Sequence, residues 1–133
     1  MTTFGLWPCK GRLHAVGLEP SLEIKARRTG NGCKQLLDHL ARQPEIQLVV
    51  TESMLLATEP IGIAEHALAR GFTVWIAPMH IVVAISDAVG YPRLSARRCA
   101  SILARLPAVP EFRRLLRRAH SRVPQQLPLS WTG

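Results

Sequence analysis

The segment SLEIKARR, residues 21–28, decides how the rest of the chain is expected to fold. Successive side chains of a β-strand point to opposite faces, so Glu23 and Lys25 share one face while the apolar residues around them take the other. The preceding segment GRLHAVGL, residues 11–18, predicts a partner strand, and Glu19-Pro20 supplies the turn. The sequence therefore predicts an antiparallel hairpin with a carboxylate and an ammonium group on one face. Its strands are expected at about 12–18 and 21–27.

Helical and strand patterns alternate after the hairpin. A loop with two glycines and an asparagine precedes a helix whose apolar stripe is Leu36, Leu37 and Leu40. The apolar runs IQLVVT and FTVWIA are typical of buried strands, and the helix between them predicts a crossover with a parallel strand pair. The expected ranges are a helix at 33–42, a strand at 46–51, a helix at 60–70 that starts with Pro60 in its first turn, and a strand at 72–77.

The two ends of the chain have different patterns. Residues 1–10 are expected to form an irregular lead-in, and periodicity leaves residues 79–89 open between helix and strand. Ser95 suits the N-cap of a helix at 96–106, and two prolines separate that helix from a second one at 110–121.

These elements predict one α/β fold. A chain of 133 residues has the size of a single domain. We expect a mixed central sheet, in which the N-terminal hairpin joins parallel strands and helices flank the sheet. The expected organisation is an α/β domain at 1–90, an Arg-rich helical extension packed on it at 91–122, and an extended tail at 123–133.

The order of these elements resembles the PD-(D/E)XK nuclease superfamily, especially its RecB-like and NucS-like branches. There a strand of the type G-R-I-D-h-h-G, where h is apolar, precedes a strand ending in E-x-K, and a helix with Q-x-x-x-Y follows. This chain has GRLHAVG at 11–17, EIK at 23–25 and QLLDH at 35–39. His14 thus stands at the position of the family's metal-binding Asp, and His39 at that of its helix Tyr. The resemblance implies a restriction-endonuclease-like fold.

The resemblance also implies metal-dependent hydrolysis of phosphodiester bonds in DNA. Glu23 would bind the metal together with the carbonyl of Ile24, and His14 would stand in for the Asp ligand. Lys25 would orient or help to deprotonate the attacking water, and Gln35 would steady the site. The family's cofactor is Mg²⁺ or Mn²⁺, and an imidazole ligand disfavours Mg²⁺ relative to Mn²⁺ or Zn²⁺.

A second interpretation starts from Glu52, which directly follows the strand expected at 46–51. RuvC-like recombinases and transposases, which are RNase H-like, also have an acid at the end of a central strand, followed by a helix and another strand. The sequence before Glu52 contains no plausible counterpart of the early catalytic Asp of these proteins. This interpretation also leaves Glu23, Lys25 and Gln35 without a role.

The formal net charge of +8 bears on the partner. A strongly basic chain favours polyanions, with nucleic acid first and an anionic membrane surface second. Guanidinium groups bind phosphate oxygens in bidentate fashion, so two Arg-rich helices near the C-terminus would make a phosphate-facing surface; the alternative is a solvated face without a partner. The candidate nucleic-acid-binding residues are Arg27, Arg28, Arg97, Arg98, Arg113, Arg114, Arg117 and Arg118.

Cysteine usage and hydropathy predict the compartment. Cys9, Cys33 and Cys99 are odd in number and widely spaced, which argues against a disulfide framework or a Cys-based zinc site. The N-terminus lacks the pattern of a signal peptide, and no apolar run reaches about 18 residues. We therefore expect a cytoplasmic protein with reduced thiols that does not span a membrane.

Three functions remain open at this point. They are a nuclease with altered metal preference, an inactive nuclease-fold protein that binds DNA, and a RuvC-like or unrelated α/β protein, including a basic module for protein partners. DNA is the expected ligand and RNA the alternative. A homodimer also stays open. So does a missing protein partner, because no helix is expected before residue 11, where the resembled nucleases often have one.

Overall fold

A mixed sheet with helices on both faces forms the fold in the computed structural model. The expected α/β class, with an N-terminal hairpin joined to parallel strands, is confirmed. The structure describes residues 2–9, 11–18, 21–27, 29–43, 45–51, 63–88, 90 and 95–119. Its elements are β1 (Thr2–Cys9), β2 (Arg12–Leu18), β3 (Ser21–Arg27), α1 (Gly30–Leu40), β4 (Ile46–Thr51), α2 (Ile63–Ala69), β5 (Thr73–Ala77), α3 (Met79–Ala88), α4 (Ala96–Arg105), a 3₁₀ turn (Leu106–Ala108), α5 (Pro110–Arg113) and β6 (Arg117–Arg118).

The strand order in the described sheet is β3-β2-β1-β4-β5-β6. The first three strands form an antiparallel meander, β4 lies parallel to β1, and β5 lies parallel to β4. The expected hairpin and the expected parallel pair are therefore confirmed. The chain crosses from the edge strand β3 to the centre of the sheet through α1.

The expectation of an irregular lead-in at residues 1–10 is wrong, because β1 is a central strand. Gly5 and Pro8 lower the strand propensity of this segment. Pro8 is tolerated because β1 pairs with β4 only from Thr2 to Gly5, so this proline needs no hydrogen-bonding partner on that side. Tertiary pairing on both sides outweighs the local propensity.

One face of the sheet, here called the α1 face, packs against α1 and α2. Alternate strand residues such as Phe4 and Leu6 point toward Leu36, Leu37 and Leu40, all of them buried. Helix α1 begins at Gly30 rather than near residue 33, because the Thr29 hydroxyl caps it by accepting a hydrogen bond from the Gly32 N–H at 3.0 Å.

The opposite face, here called the α4 face, packs against α3 and α4. Residues Val49, Cys99 and Leu103 lie in its core, and Trp7 packs against them. Helix α4 begins after Ser95, whose side chain accepts from the Arg98 N–H at 3.1 Å, as its sequence predicts. Helix α4 packs mainly over β1 and β2, and so covers the centre of the sheet.

The expected helix at 110–121 is wrong. Helix α5 ends at Arg113, and after a turn the chain forms β6, which pairs antiparallel to β5. The guanidinium groups of Arg113 and Arg118 lie 5.6 and 5.8 Å from the Trp75 ring centroid. These cation–π contacts and the strand pairing hold the segment against β5 instead of letting it continue as a helix.

The structure also bears on the expectations for the segments at 79–89 and 60–70. The apolar stretch left open between helix and strand is the helix α3. The helix expected at 60–70 is observed from Ile63, whereas Pro60 lies outside the described residues. Within the described ranges, no helix has the length and apolar character needed to cross a membrane.

Candidate nucleic-acid interface

The β2–β3 hairpin places four of the predicted residues on the α4 face. Lys25 lies directly opposite His14, and Arg27 lies directly opposite Arg12. Glu23 shares this face with Lys25, while Ile24 packs against the core on the α1 face. The E-x-K segment therefore presents its two charged side chains together, as strand alternation predicts.

The carboxylate of Glu23 is bound by Arg97 from the first turn of α4. The Nε of Arg97 donates to Oε2 of Glu23 at 2.8 Å. The Arg97 side chain remains 75% exposed and that of Glu23 33%, so this surface ion pair contributes at most about 1 kcal/mol. The ion pair matters for the predicted chemistry, because the carboxylate that was expected to bind a metal ion contacts a guanidinium group instead.

His14 is half-buried between positive charges. Burial lowers its pKa first, the charge of Lys25 lowers it further, Glu23 raises it, and Arg12 lowers it slightly. Its Nδ1 is buried and has no hydrogen-bond partner within the described part of the chain. At neutral pH this imidazole is therefore uncharged.

Stability is expected to fall as the pH drops through about 6.5. The pKa of His14 is lowered in the fold but has its ordinary value in the unfolded chain, so the unfolded state binds more protons in this range and stability rises with pH. The stability is fully present above about pH 6.5 and is lost as the pH falls through the lowered pKa. Urea unfolding at about pH 5, 6, 7 and 8 should show a smaller pH dependence in His14→Gln.

The control for this pH dependence is His39→Gln, since His39 is an exposed imidazole on α1. It makes the same side-chain change on a helix outside the hairpin strands, so the profile of His14→Gln is compared with the profile of this variant. Identical profiles for the wild type and His14→Gln would contradict the assignment to His14.

Gln35 lies on the other side of β3 from the side chains of Glu23 and His14. It is an exposed residue of α1, which packs on the α1 face. With His39 it lines a groove of about 520 Å³ along the outer edge of β3, which Lys25 and Arg27 also border. The structure thus brings Gln35 near Lys25 but does not bring it together with His14 and Glu23.

The predicted metal ligands do not suit a divalent cation. Mg²⁺ and Mn²⁺ prefer several carboxylate oxygens, but the one carboxylate of the predicted ligand set, Glu23, pairs with Arg97 and lies on the same face of β3 as Lys25. The described residues contain no group of three or more His, Cys, Asp or Glu side chains placed to hold a metal ion. A cation at His14, Glu23 and the Ile24 carbonyl would be repelled by the surrounding positive charges.

The predicted arginines do not form one helical surface. Arg97 and Arg98 lie in the first turn of α4, Arg27 ends β3, and the remaining four belong to α5, the turn after it and β6. All of the described ones are exposed, and Arg28 lies outside the described residues. Those that line the hairpin therefore lie apart from those around Trp75.

Trp75 is held by a chain of hydrogen bonds across three strands. Its Nε1 donates to Oε1 of Gln47 at 2.8 Å, and Nε2 of Gln47 donates to Oγ1 of Thr3 at 2.9 Å. These bonds fix the ring over which Arg113 and Arg118 lie. Two of the C-terminal arginines, Arg113 and Arg118, therefore have a structural role in contact with Trp75.

Arg12 belongs to the site but was not among the residues selected from the sequence. Its signal was present there, because a two-residue turn at Glu19-Pro20 pairs Leu18 with Ser21 and, counting back, Arg12 with Arg27. The Glu23–Arg97 pair had no such signal, since its partners come from elements far apart in the chain.

No model of a known protein family matches the chain, and no curated protein sequence matches it significantly.

Proposed function

We propose that this protein binds nucleic acid, with DNA as the ligand and RNA as the alternative, and that its Glu23-x-Lys25 segment does not hydrolyse phosphodiester bonds. The observation that carries the proposal is the pairing of Glu23 with Arg97 beside Lys25. This pairing makes the segment part of a basic surface. A net charge of +8 supports a polyanionic partner.

The strand order bears on the two family resemblances. An antiparallel meander of three strands extended by parallel strands, with β1 between β2 and β4, is the order of RNase H-like proteins. This order supports the RuvC-like relation over the PD-(D/E)XK relation. We therefore propose a distant RNase H-like relation for the fold.

Residues on β1 favour binding over catalysis within that relation. The RuvC-like interpretation requires an early acid, but the side chains of β1 on the α4 face belong to Thr3, Trp7 and Cys9, with Gly5 between them. Glu52 lies outside the described residues. A nucleic-acid-binding protein without this acid is the function that fits these residues best.

We also propose that the protein is located in the cytoplasm. Cys9, Cys33 and Cys99 are thiols rather than disulfides in the structure, and Cys33 and Cys99 are buried. Separated cysteines that form no disulfide are typical of proteins kept in a reducing compartment.

The Glu23→Gln variant separates binding from hydrolysis. Removing this negative charge beside Lys25 is expected to tighten DNA binding roughly two- to fivefold, since one unfavourable charge near the phosphates is lost. A nuclease would instead lose metal-dependent cleavage in this variant. Binding is measured by fluorescence anisotropy with labelled duplex and single-stranded DNA at several salt concentrations, and cleavage with supercoiled DNA plus Mg²⁺ or Mn²⁺.

Glu65→Gln is the matched control, because Glu65 lies on α2 at the opposite face of the sheet. It changes the net charge equally and should leave the affinity unchanged. Metal-dependent cleavage by the wild type that disappears in Glu23→Gln would overturn the proposal, as would binding that is absent or insensitive to salt.

A further inference from the structure

The α4 face of the hairpin holds like charges in direct opposition. Arg12 faces Arg27 across the two strands, and His14, which adds a like charge only when it is protonated, faces Lys25. Side chains at directly opposite positions have Cβ atoms about 4.5–5.5 Å apart, and like charges there destabilise a sheet. We name Arg12, His14, Lys25 and Arg27 the hairpin surface. The repulsion between these side chains destabilises the folded protein, and an anion bound between them would offset this repulsion.

Three of the four residues of the hairpin surface, Arg12, Lys25 and Arg27, are exposed, and His14 is half-buried. Helix α4 packs mainly over β1 and β2 and reaches Glu23 on β3 with the side chain of Arg97. A ligand can therefore approach this face beside α4. No rearrangement of the core is needed.

The surface continues around the edge of the sheet. Lys25 and Arg27 also border the groove of about 520 Å³ along the outer edge of β3, where Asn31, Gln35 and His39 add hydrogen-bonding groups. In the described sheet β3 has β2 as its single neighbour. A continuous basic and polar strip thus runs from Arg12 over β3 to α1.

Its spacing suits a phosphodiester chain. Alternate residues of a strand lie about 6.7 Å apart, so the Arg12–Arg27 row and the His14–Lys25 row have nearly the separation of neighbouring phosphates along one nucleic-acid strand. Arg binds phosphate oxygens bidentately and Lys as a point charge. The recognised group is the sugar–phosphate backbone, so binding at this strip does not depend on the base sequence.

We propose that the hairpin surface and the groove beside it bind the phosphate backbone of nucleic acid, with Arg12, Lys25 and Arg27 as the phosphate contacts. This inference rests on the proposed function and names its site. It assigns Lys25 to charge recognition and not to the activation of water. It also places the main contact at the hairpin, away from the arginines around Trp75.

His14 gives this site a pH dependence. A phosphate beside the imidazole favours its protonated form, whereas burial and Lys25 disfavour that form in the free protein. Binding therefore takes up a proton, and affinity rises as the pH falls. The charged and titratable groups that face His14 or its neighbours are Arg12 on β2, Glu23 and Lys25 on β3, Cys9 on β1, and Arg97 and Cys99 on α4.

The test compares the salt dependence of DNA binding in matched double variants. Each phosphate contact contributes about 0.7–0.9 to the slope of log K against log salt, so Arg12→Gln with Arg27→Gln should lower the slope by about 1.4–1.8, equally for two unrelated sequences. Arg42→Gln with Arg105→Gln removes the same charge elsewhere and should change the slope far less. The probe is a fluorescein-labelled oligonucleotide, read by anisotropy.

Thermal unfolding shows whether weaker binding results from a loss of folded structure. Relief of the like-charge opposition should raise the melting temperature of Arg12→Gln with Arg27→Gln by about 1–4 °C while binding weakens. For the pH arm, affinity of the wild type should rise about 3- to 10-fold from about pH 8 to pH 6, and His14→Gln should remove most of this rise.

The outcomes separate this inference from the function on which it rests. If Arg113→Gln with Arg114→Gln removes the slope while Arg12→Gln with Arg27→Gln keeps it, the site is overturned and nucleic-acid binding stands. If the wild type shows no salt-dependent binding to any probe, both fall. A reduced slope at the hairpin alone, with the expected rise in melting temperature, supports the site.

Discussion

Replacing Gly5 by alanine is expected to destabilise the fold by about 3 kcal/mol, the upper end for overpacking a core. A Cβ at this position would lie 1.9 Å from the carbonyl oxygen of Ala100 and 2.8 Å from the backbone nitrogen of Ala104. Both are backbone atoms of α4, so no side chain can turn aside. The helix would have to move away from β1, and its contacts with Trp7 and the core of the α4 face would loosen.

The measurement is urea unfolding followed by circular dichroism. Gly90→Ala is the control, because Gly90 has a φ of +76° and a Cβ added there would meet no heavy atom of the described residues within 4 Å beyond its chain neighbours. The cost at Gly90 is therefore conformational alone, about 1 kcal/mol. If Gly5→Ala unfolded at the same urea concentration as the wild type, α4 would not rest on β1 as described. The variant should also weaken the Arg97–Glu23 contact, since Arg97 belongs to the same helix.

Replacing Phe4 by alanine is expected to cost about 3–5 kcal/mol. Phe4 is fully buried in the core of the α1 face, and its ring lies over Gly17, where an added Cβ would be 2.6 Å from Cε2. The ring thus fills the space that the glycine leaves on β2. Removing it creates a cavity between β1, β2 and α1, so the loss includes both the transfer of the ring to water and the unfilled space.

Phe112→Ala is the matched control for Phe4→Ala. Phe112 is partly buried at the edge of the α4 face, so the same substitution should cost only about 1–2 kcal/mol. The midpoints of urea unfolding of the two variants give the comparison. Equal losses at the two positions would contradict the placement of Phe4 at the centre of the core.

Local patterns predicted the hairpin and the parallel strands. Alternation of apolar and charged residues around Glu23 predicted which side chains of β3 pack toward the core, and in the structure these side chains are partly buried against it. The structure adds the register, in which Lys25 lies opposite His14. The hairpin and the faces of its side chains depend on neighbours in sequence or on strand pairing across a short turn, so they can be read from the chain alone.

The errors arose where distant elements meet. Gly5 and Pro8 made β1 look irregular, yet this strand is the centre of the sheet because β2 and β4 pair with it from both sides. The prediction of a second C-terminal helix failed because Trp75, a residue of β5, attracts Arg113 and Arg118. Helical periodicity in the C-terminal segment contains no information about that ring.

The sequence by itself determined the α/β class, the hairpin with the faces of its side chains, and the basic character of the chain. The packing of α4 across β1 determined the character of the predicted site, because it brings Arg97 to the carboxylate of Glu23. The position of α1 on the opposite face keeps Gln35 away from that carboxylate. Alternation along a strand is a local steric rule, whereas the partner of a charged side chain depends on which helix covers its face, and that is settled only when the whole core packs.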